Sequence, residues 1–180
     1  TTTASDNTAV GKDALTTNVT GANNAAVGKD ALKANLSDDN VGVGYNALAV
    51  NSTGSSNTAV GSAALDANTT ASNNTAIGRL ALTSNTTGHS NTAVGFEALK
   101  DQTTTDNNTG VGYKSLENQT GTKNTGLGAY TLGNGTTGDN NTAIGYAALY
   151  QNTQSSNTAV GHMAMYTNST GGNNCAVGHA

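Results

Sequence analysis

Residues 57–73 read NTAVGSAALDANTTASN, and residues 74–90 repeat the same pattern as NTAIGRLALTSNTTGHS. The segment NTAVG, or a close variant, recurs eleven times at a nearly constant interval. Its first residue falls at Asn7, Asn24, Asn40, Asn57, Asn74, Asn91, Asn108, Asn124, Asn141, Asn157 and Asn174. Such regular self-similarity is typical of proteins in which successive units stack on one another. We therefore expect a single repeat array over residues 1–180, with no separate domains.

The composition favours an ordered chain that binds neither nucleic acid nor the membrane interior. Only 10% of the residues are charged, against about a quarter in ordinary domains. The apolar residues nevertheless keep a strict phase, which a disordered chain does not need. The formal net charge of −4 disfavours a nucleic-acid partner, and no apolar run approaches the ~20 residues of a membrane span.

Two positions of every repeat carry larger aliphatic side chains, and we expect them to form the core. The fourth position is Val, Ile or Leu in all eleven copies, and the ninth is Leu with one Met. The predicted core comprises Val10, Val60, Ile77, Val94, Val111 and Ile144, together with Leu15, Leu65, Leu82, Leu99 and Leu149. In an extended strand, the Ala or Gly before the fourth position and the Gly after it lie on the opposite face. Such a small-residue face predicts close approach of another backbone, from the same coil or from another subunit.

The pattern predicts an all-β fold, a parallel β-solenoid or β-roll of about eleven coils of 16–17 residues. A helix is disfavoured because each repeat carries Gly in mid-pattern, at about 1 kcal/mol relative to Ala. Stacked coils place equivalent Asn residues ~4.8 Å apart, where they can form hydrogen-bonded ladders. A second ladder falls at turns, where Asn tolerates left-handed backbone conformations. It comprises Asn18, Asn35, Asn51, Asn68, Asn85, Asn152 and Asn168.

The core of a single chain is expected to be thin. Two aliphatic side chains per coil contribute about 1.5–3 kcal/mol each, while ordering the backbone costs about 1–2 kcal/mol per residue. Hydrogen bonds between coils must therefore contribute to stability. We also expect a homotrimer that packs the small-residue faces together.

The string Asn-Thr-Ala-Val-Gly-x-x-Ala-Leu resembles repeats of bacteriophage tail fibres along the whole chain. It is also similar to the head repeats of trimeric autotransporter adhesins of the YadA-like type, although the adhesin repeat is shorter than the repeat of this chain. The resemblance implies a trimer of parallel β-rolls and a fibre-like surface protein that attaches a virion or a cell to a receptor.

The pair of residues after each repeat's Gly varies freely, which indicates exposure and a place for ligand recognition. Four copies carry an aromatic residue at the first of these positions: Tyr45, Phe96, Tyr113 and Tyr146. Stacked in one strip, these rings can bind the faces of sugars. The alternative is that they shield the strand or fill a groove between subunits.

Other chemistry is not indicated, and we expect no enzymatic activity, cofactor or metal ion. No nucleophile-elbow or phosphate-loop string occurs, and the few acidic residues are not phased. His162 and His179 fall one coil apart but form no metal cluster by spacing. Cys175 is the only cysteine, so an internal disulfide is excluded.

The predicted function is that of a fibre or adhesin segment at a virion surface or in the extracellular space. Its expected partners are copies of itself and a cell-surface glycan, and its first residue, Thr1, suggests a piece of a longer array. The first alternative is a self-assembling extracellular filament whose chains stack end to end. The second is an ice-binding solenoid, because Thr residues form two further ladders.

Overall fold

The chain forms a parallel β-solenoid in which each sequence repeat makes one turn. The structure is a computed structural model that describes residues 3–135 and 137–180. Each turn contributes one three-residue strand to an eleven-stranded parallel sheet. Two further short strands, β10 and β12, pair with each other on another side of the coil. The strands are β1 (Thr8–Val10), β2 (Ala25–Val27), β3 (Val41–Val43), β4 (Thr58–Val60), β5 (Thr75–Ile77), β6 (Thr92–Val94), β7 (Thr109–Val111), β8 (Thr125–Leu127), β9 (Thr142–Ile144), β10 (Gln151–Asn152), β11 (Thr158–Val160), β12 (Thr167–Asn168) and β13 (Cys175–Val177).

The described residues contain no helix, and the predicted all-β solenoid is confirmed. Neighbouring strands pair in the register of the repeat, so that Ala59 lies opposite Ala76 and Val60 opposite Ile77. Coils that are one residue shorter, such as the coil between β2 and β3, keep the same register because the missing residue is lost outside the strand. No helix in this part of the chain is long and apolar enough to span a membrane.

The segment after each strand follows an unusual backbone path. The Gly that directly follows the strand has φ between 121° and 139°, and the residues of the Leu ladder have φ between 49° and 53°. Left-handed conformations cost an ordinary residue about 1–2 kcal/mol. Hydrogen bonds to the next coil offset this cost: the N–H of Leu65 donates to the carbonyl of Ala81 at 3.0 Å, and that of Leu82 to Ala98 at 3.0 Å.

The Leu ladder forms the core of the coil. Leu65, Leu82, Leu99 and Leu149 are fully buried, and Leu15 retains 9% exposure. The Ala that precedes the Leu is also buried in most coils, as is the small residue in the middle of each strand from β2 to β9 and in β11. A narrow interior is thus filled by one Leu and two small side chains per coil.

The aliphatic ladder of the strands lies on the outer face of the sheet, and its assignment to the core is therefore wrong. Val10, Ile77 and Ile144 are 57%, 41% and 36% exposed, while Val60, Val94 and Val111 are half-buried. Strand alternation puts the Thr and the aliphatic residue outside, with the Ala or Gly between them inside. The small residue is required inside because it faces the Leu of the preceding coil: a Cβ added at Gly42 would lie 3.0 Å from Cγ of Leu32.

This arrangement also corrects the expected subunit contact. The Ala and Gly residues in mid-strand are covered by their own coil, so they offer no face for a trimer. The close backbone approach that they indicate is made within the chain.

The first Asn ladder links every coil to the next. The side-chain Oδ1 of each Asn accepts a hydrogen bond from the main-chain N–H of the Asn one coil later, as from Asn74 to Asn57 at 3.0 Å and from Asn91 to Asn74 at 2.9 Å. The side-chain Nδ2 of Asn74 donates to the carbonyl of Gly88 in the same coil at 2.9 Å. Such an amide joins neighbouring coils and holds the bend of its own coil, except at Asn141, whose Nδ2 is buried without a hydrogen-bond partner among the described residues.

The second Asn ladder is also buried, apart from the half-buried Asn18 and Asn168, but its residues do not adopt the expected left-handed conformation. That conformation is found one position before the first ladder, as at Asn23 and Asn73 with φ of 57° and 63°. The second ladder instead pairs amide with amide: Nδ2 of Asn68 donates to Oδ1 of Asn51 at 2.9 Å. Side-chain hydrogen bonding therefore explains this ladder better than backbone conformation does.

Candidate ligand-binding site

An aromatic cluster covers the outer side of the coils in the second half of the chain. Phe96 and Tyr113 stack with ring centroids 5.4 Å apart, and Tyr146 stacks on His162 at 5.2 Å. Tyr130 joins the two pairs edge to face, at 5.2 Å from Tyr113 and 5.9 Å from Tyr146. Three of the four residues predicted from the sequence are thus brought into one cluster.

Tyr45, the fourth predicted residue, lies apart from this cluster. Ser62 and Arg79 occupy the equivalent position in the two coils between Tyr45 and Phe96. The Tyr45 ring is half-exposed and lies under the ammonium group of Lys29, 5.2 Å from the ring centroid. The structure therefore pairs Tyr45 with a cation of its own chain and leaves it out of the candidate site.

Sequence reasoning missed three members of the cluster. Tyr130 lies one position later in its coil than the predicted aromatic residues, while Tyr150 and Tyr166 follow the core Leu or Met directly. Tyr150 and Tyr166 stack on each other with centroids 5.2 Å apart. The sequence did contain a signal for the cluster, because five of the six Tyr residues fall between positions 113 and 166.

The Tyr residues enclose a groove of about 330 Å³, lined by Tyr130, Tyr146, Ala147, Tyr150, Met163 and Tyr166. Tyr146 and the stacked pair Tyr150 and Tyr166 line the groove, and Tyr130 contacts both Tyr146 and Tyr150. In the sequence, Ala147 falls between Tyr146 and Tyr150, and Met163 falls between His162 and Tyr166. The lining contains no charged side chain.

The groove exists because one position of the repeat is small at this place. In most earlier coils the position of Ala147 carries a longer side chain, as at Leu80, Glu97 and Lys114, and only Ala63 is also an Ala there. Gly133 contributes in the same way, since a Cβ added there would lie 2.9 Å from Cε2 of Tyr150. Two small residues therefore create the space that the surrounding Tyr rings enclose.

An ion-pair network lies beside the aromatic cluster, in the coils that precede the groove. The Lys114 ammonium contacts Glu117 at 2.9 Å and Glu97 at 3.0 Å, and these hydrogen bonds raise the pKa of Lys114. Burial alone raises the pKa of Glu97, but the hydrogen bond from Lys114 and the charge of Lys100 hold it below its ordinary value. The hydrogen bond with Tyr113, followed by burial, raises the pKa of Tyr130. Tyr130 is therefore a neutral phenol at physiological pH.

The described residues contain no group of three or more His, Cys, Asp or Glu side chains arranged to hold a metal ion. His162 and His179 do meet, with ring centroids 4.8 Å apart and an angle of 7° between the planes. This contact extends the stack that begins at Tyr146.

Comparison with known protein families, curated proteins and solved structures finds no significant match to the chain. The function must therefore be argued from the groove and the solenoid that carries it.

Proposed function

We propose that this chain is a non-enzymatic segment of a fibre, at a virion surface or in the extracellular space, that attaches to a neutral cell-surface glycan. The resemblance to tail-fibre and adhesin repeats supports the fibre part of this proposal. The observation that carries the attachment part is the uncharged groove lined by Tyr130, Tyr146, Tyr150 and Tyr166.

A sugar fits the chemistry of this groove better than a charged ligand does. Tyr rings offer rigid apolar contact area, and their hydroxyl groups exchange hydrogen bonds with hydroxyls of the ligand. The volume lies at the lower end of the range for small-molecule sites, which suits one or two sugar rings. An anionic glycan is disfavoured because no cation lines the groove.

The test is binding to a panel of immobilised neutral glycans by the wild-type chain and by Ala147→Leu. The substitution fills the groove with the side chain that Leu80 already carries at the equivalent position, where φ is 59°. We expect the fold to be unchanged by circular dichroism and glycan binding to fall at least tenfold. Substituting Tyr113 and Tyr146 by Ser should weaken binding as well.

Tyr45→Ser is the matched control, because this Tyr is exposed on an equivalent part of the coil but lies outside the cluster. It should bind as the wild type does. Equal binding by wild type and Ala147→Leu would contradict the attachment proposal. Indefinitely growing filaments in electron micrographs would favour the end-to-end assembly instead.

A further inference from the structure

The outer face of the sheet carries a continuous row of aliphatic side chains. We call the outward first and third residues of β1 to β9, β11 and β13 the Thr–Val face. The third residue is Val, Ile or Leu in every strand, and Val27, Ile77 and Leu127 are 40%, 41% and 50% exposed. Single exposed aliphatic residues are ordinary, but contiguous apolar strips are typical of interaction surfaces.

The repeats show that this apolar character is not accidental. The eleven copies provide a comparison within one chain, and the outward position two residues later changes freely among Lys, Tyr, Ser, Arg, Phe, Ala and His. The third strand position never becomes polar. β-Propensity does not explain this, because Thr is as suitable as Val for a strand and Leu127 is not β-branched. The third strand position is apolar in every copy, although its side chain faces solvent in the isolated chain.

We propose that the Thr–Val face is covered by a second copy of this chain, ladder against ladder. A partner copy has the same spacing of ~4.8 Å between neighbouring strands. The side chains of one copy can therefore fit between those of the other along the whole face. The face contains no charged residue, only Thr, Ala, Val, Ile, Leu and Cys, and two copies therefore meet without charge repulsion.

The dimensions of the face reach the lower limit for a specific contact. Eleven strands span about 48 Å and three residues about 10 Å, which gives roughly 500 Å² per copy. Two copies would bury about 1,000 Å², the lower bound for a specific interface. This inference is independent of the glycan proposal, because the groove residues lie after the Gly and outside the strands.

The experiment measures the mass of the chain in solution by light scattering after size-exclusion chromatography. We expect the wild type to have twice the 17.8 kDa monomer mass. The variant Val60→Lys, Ile77→Lys, Val94→Lys should be monomeric with an unchanged circular dichroism spectrum. Each of these side chains points outward, with Ile77 exposed and Val60 and Val94 half-buried, so that the Lys ammonium groups can reach water.

The matched control adds three Lys residues elsewhere, by Thr16→Lys, Ser62→Lys and Thr83→Lys. Other coils already carry Lys at these positions, as at Lys29 and Lys33. The control should keep the wild-type mass. A milder variant with Thr at positions 60, 77 and 94 keeps β-branching and should weaken association at least tenfold, which tests the proposal even where the Lys variant unfolds.

A monomeric wild type at the highest soluble concentration would overturn the proposal. It would also be overturned if the folded Lys variant kept the wild-type mass, or if the control dissociated to the same extent. Glycan binding by a monomeric variant would support the proposed function whatever the outcome for self-association. The two proposals can therefore be contradicted independently of each other.

Discussion

At the scale of single residues, the Gly that directly follows each strand of the large sheet is the position that the fold constrains most strongly. Gly61 has φ of 138°, a conformation that ordinary residues rarely adopt. A Cβ added there would lie 2.5 Å from the carbonyl oxygen of Gly78 in the next coil. Because Gly78 stacks in the same way on Gly95 of the following coil, the collision cannot be relieved by moving one coil alone.

We therefore predict that Gly61→Ala lowers the free energy of unfolding by at least about 2 kcal/mol, from the unfavourable backbone conformation and the collision together. Chemical denaturation monitored by circular dichroism measures the loss. Ser62→Ala, at the next position, should change stability by less than about 0.5 kcal/mol, because it alters only a surface side chain. Similar losses in the two variants would contradict the tight stacking of the Gly residues.

Core residues compensate for one another between neighbouring coils. Where the mid-strand residue is Gly126, the neighbouring core positions carry Ser115 and Thr131, whose hydroxyl oxygens are 2.6 Å apart. Each hydroxyl has one proton, so one of them donates to the other and the second can donate to a carbonyl: the carbonyl oxygen of Gly126 lies 3.2 Å from the Ser115 hydroxyl, and that of Gly128 lies 3.2 Å from the Thr131 hydroxyl. Without a Cβ at Gly126, the two hydroxyls fit inside and satisfy each other, as buried polar groups require.

At the scale of elements, the second amide ladder is interrupted in the middle of the chain. Gln102 and Gln119 replace Asn, and the side-chain oxygens of Asn85, Gln102 and Gln119 are buried without a hydrogen-bond partner among the described residues. The amide of Gln102 instead contacts the hydroxyl of Thr105. The longer side chain thus directs its donor away from the preceding coil.

Restoring the ladder should stabilise the chain. We predict that Gln102→Asn raises the free energy of unfolding by about 1 kcal/mol, because its amide can then donate to Oδ1 of Asn85. Thermal denaturation measures the gain. The control is Gln151→Asn, the same chemical change at an exposed position. An unchanged or lowered stability of Gln102→Asn would show that the interruption is already relaxed in another way.

At the scale of the whole molecule, each coil contacts mainly the coils before and after it. The sheet runs through its strands in chain order, and only consecutive strands of this sheet are paired. Stability in such an array is close to a sum of coil terms and nearest-neighbour terms. We therefore expect that a whole coil can be removed without disturbing the packing of the remaining coils.

We predict that deleting residues 75–91, one complete coil, preserves the fold. The deletion places Thr92 directly after Asn74, so strands and ladders stay in phase. Small-angle scattering should show a rod shortened by ~4.8 Å, with the circular dichroism spectrum per residue unchanged. Deleting only residues 75–82 takes the repeat out of phase and should destabilise the chain strongly. Equal stability of the two deletions would contradict the coil as the unit of the fold.

The repeat by itself determined the period, the parallel pairing, the buried Leu ladder and the stacking of equivalent Asn residues. These follow because a covalent repeat of nearly constant length brings identical residues together once the coils stack. The direction of the strand side chains could not be derived in this way. The direction of these side chains depends on how the coil closes. Closure requires Leu residues with φ near 50°, a conformation that is unusual for Leu and that cannot be read from the sequence.

The tertiary structure alone therefore decided that Ala lies inside and Val outside, which moved the expected subunit contact from the small residues to the Thr–Val face. It also decided the candidate site. Tyr130, Tyr150 and Tyr166 occupy different positions of the repeat from Tyr146, and the path around Gly133 and Ala147 brings them to one groove. Periodicity identifies residues that are equivalent along the array. Contacts between non-equivalent positions arise from the curvature of the coil, and the structure is needed to see them.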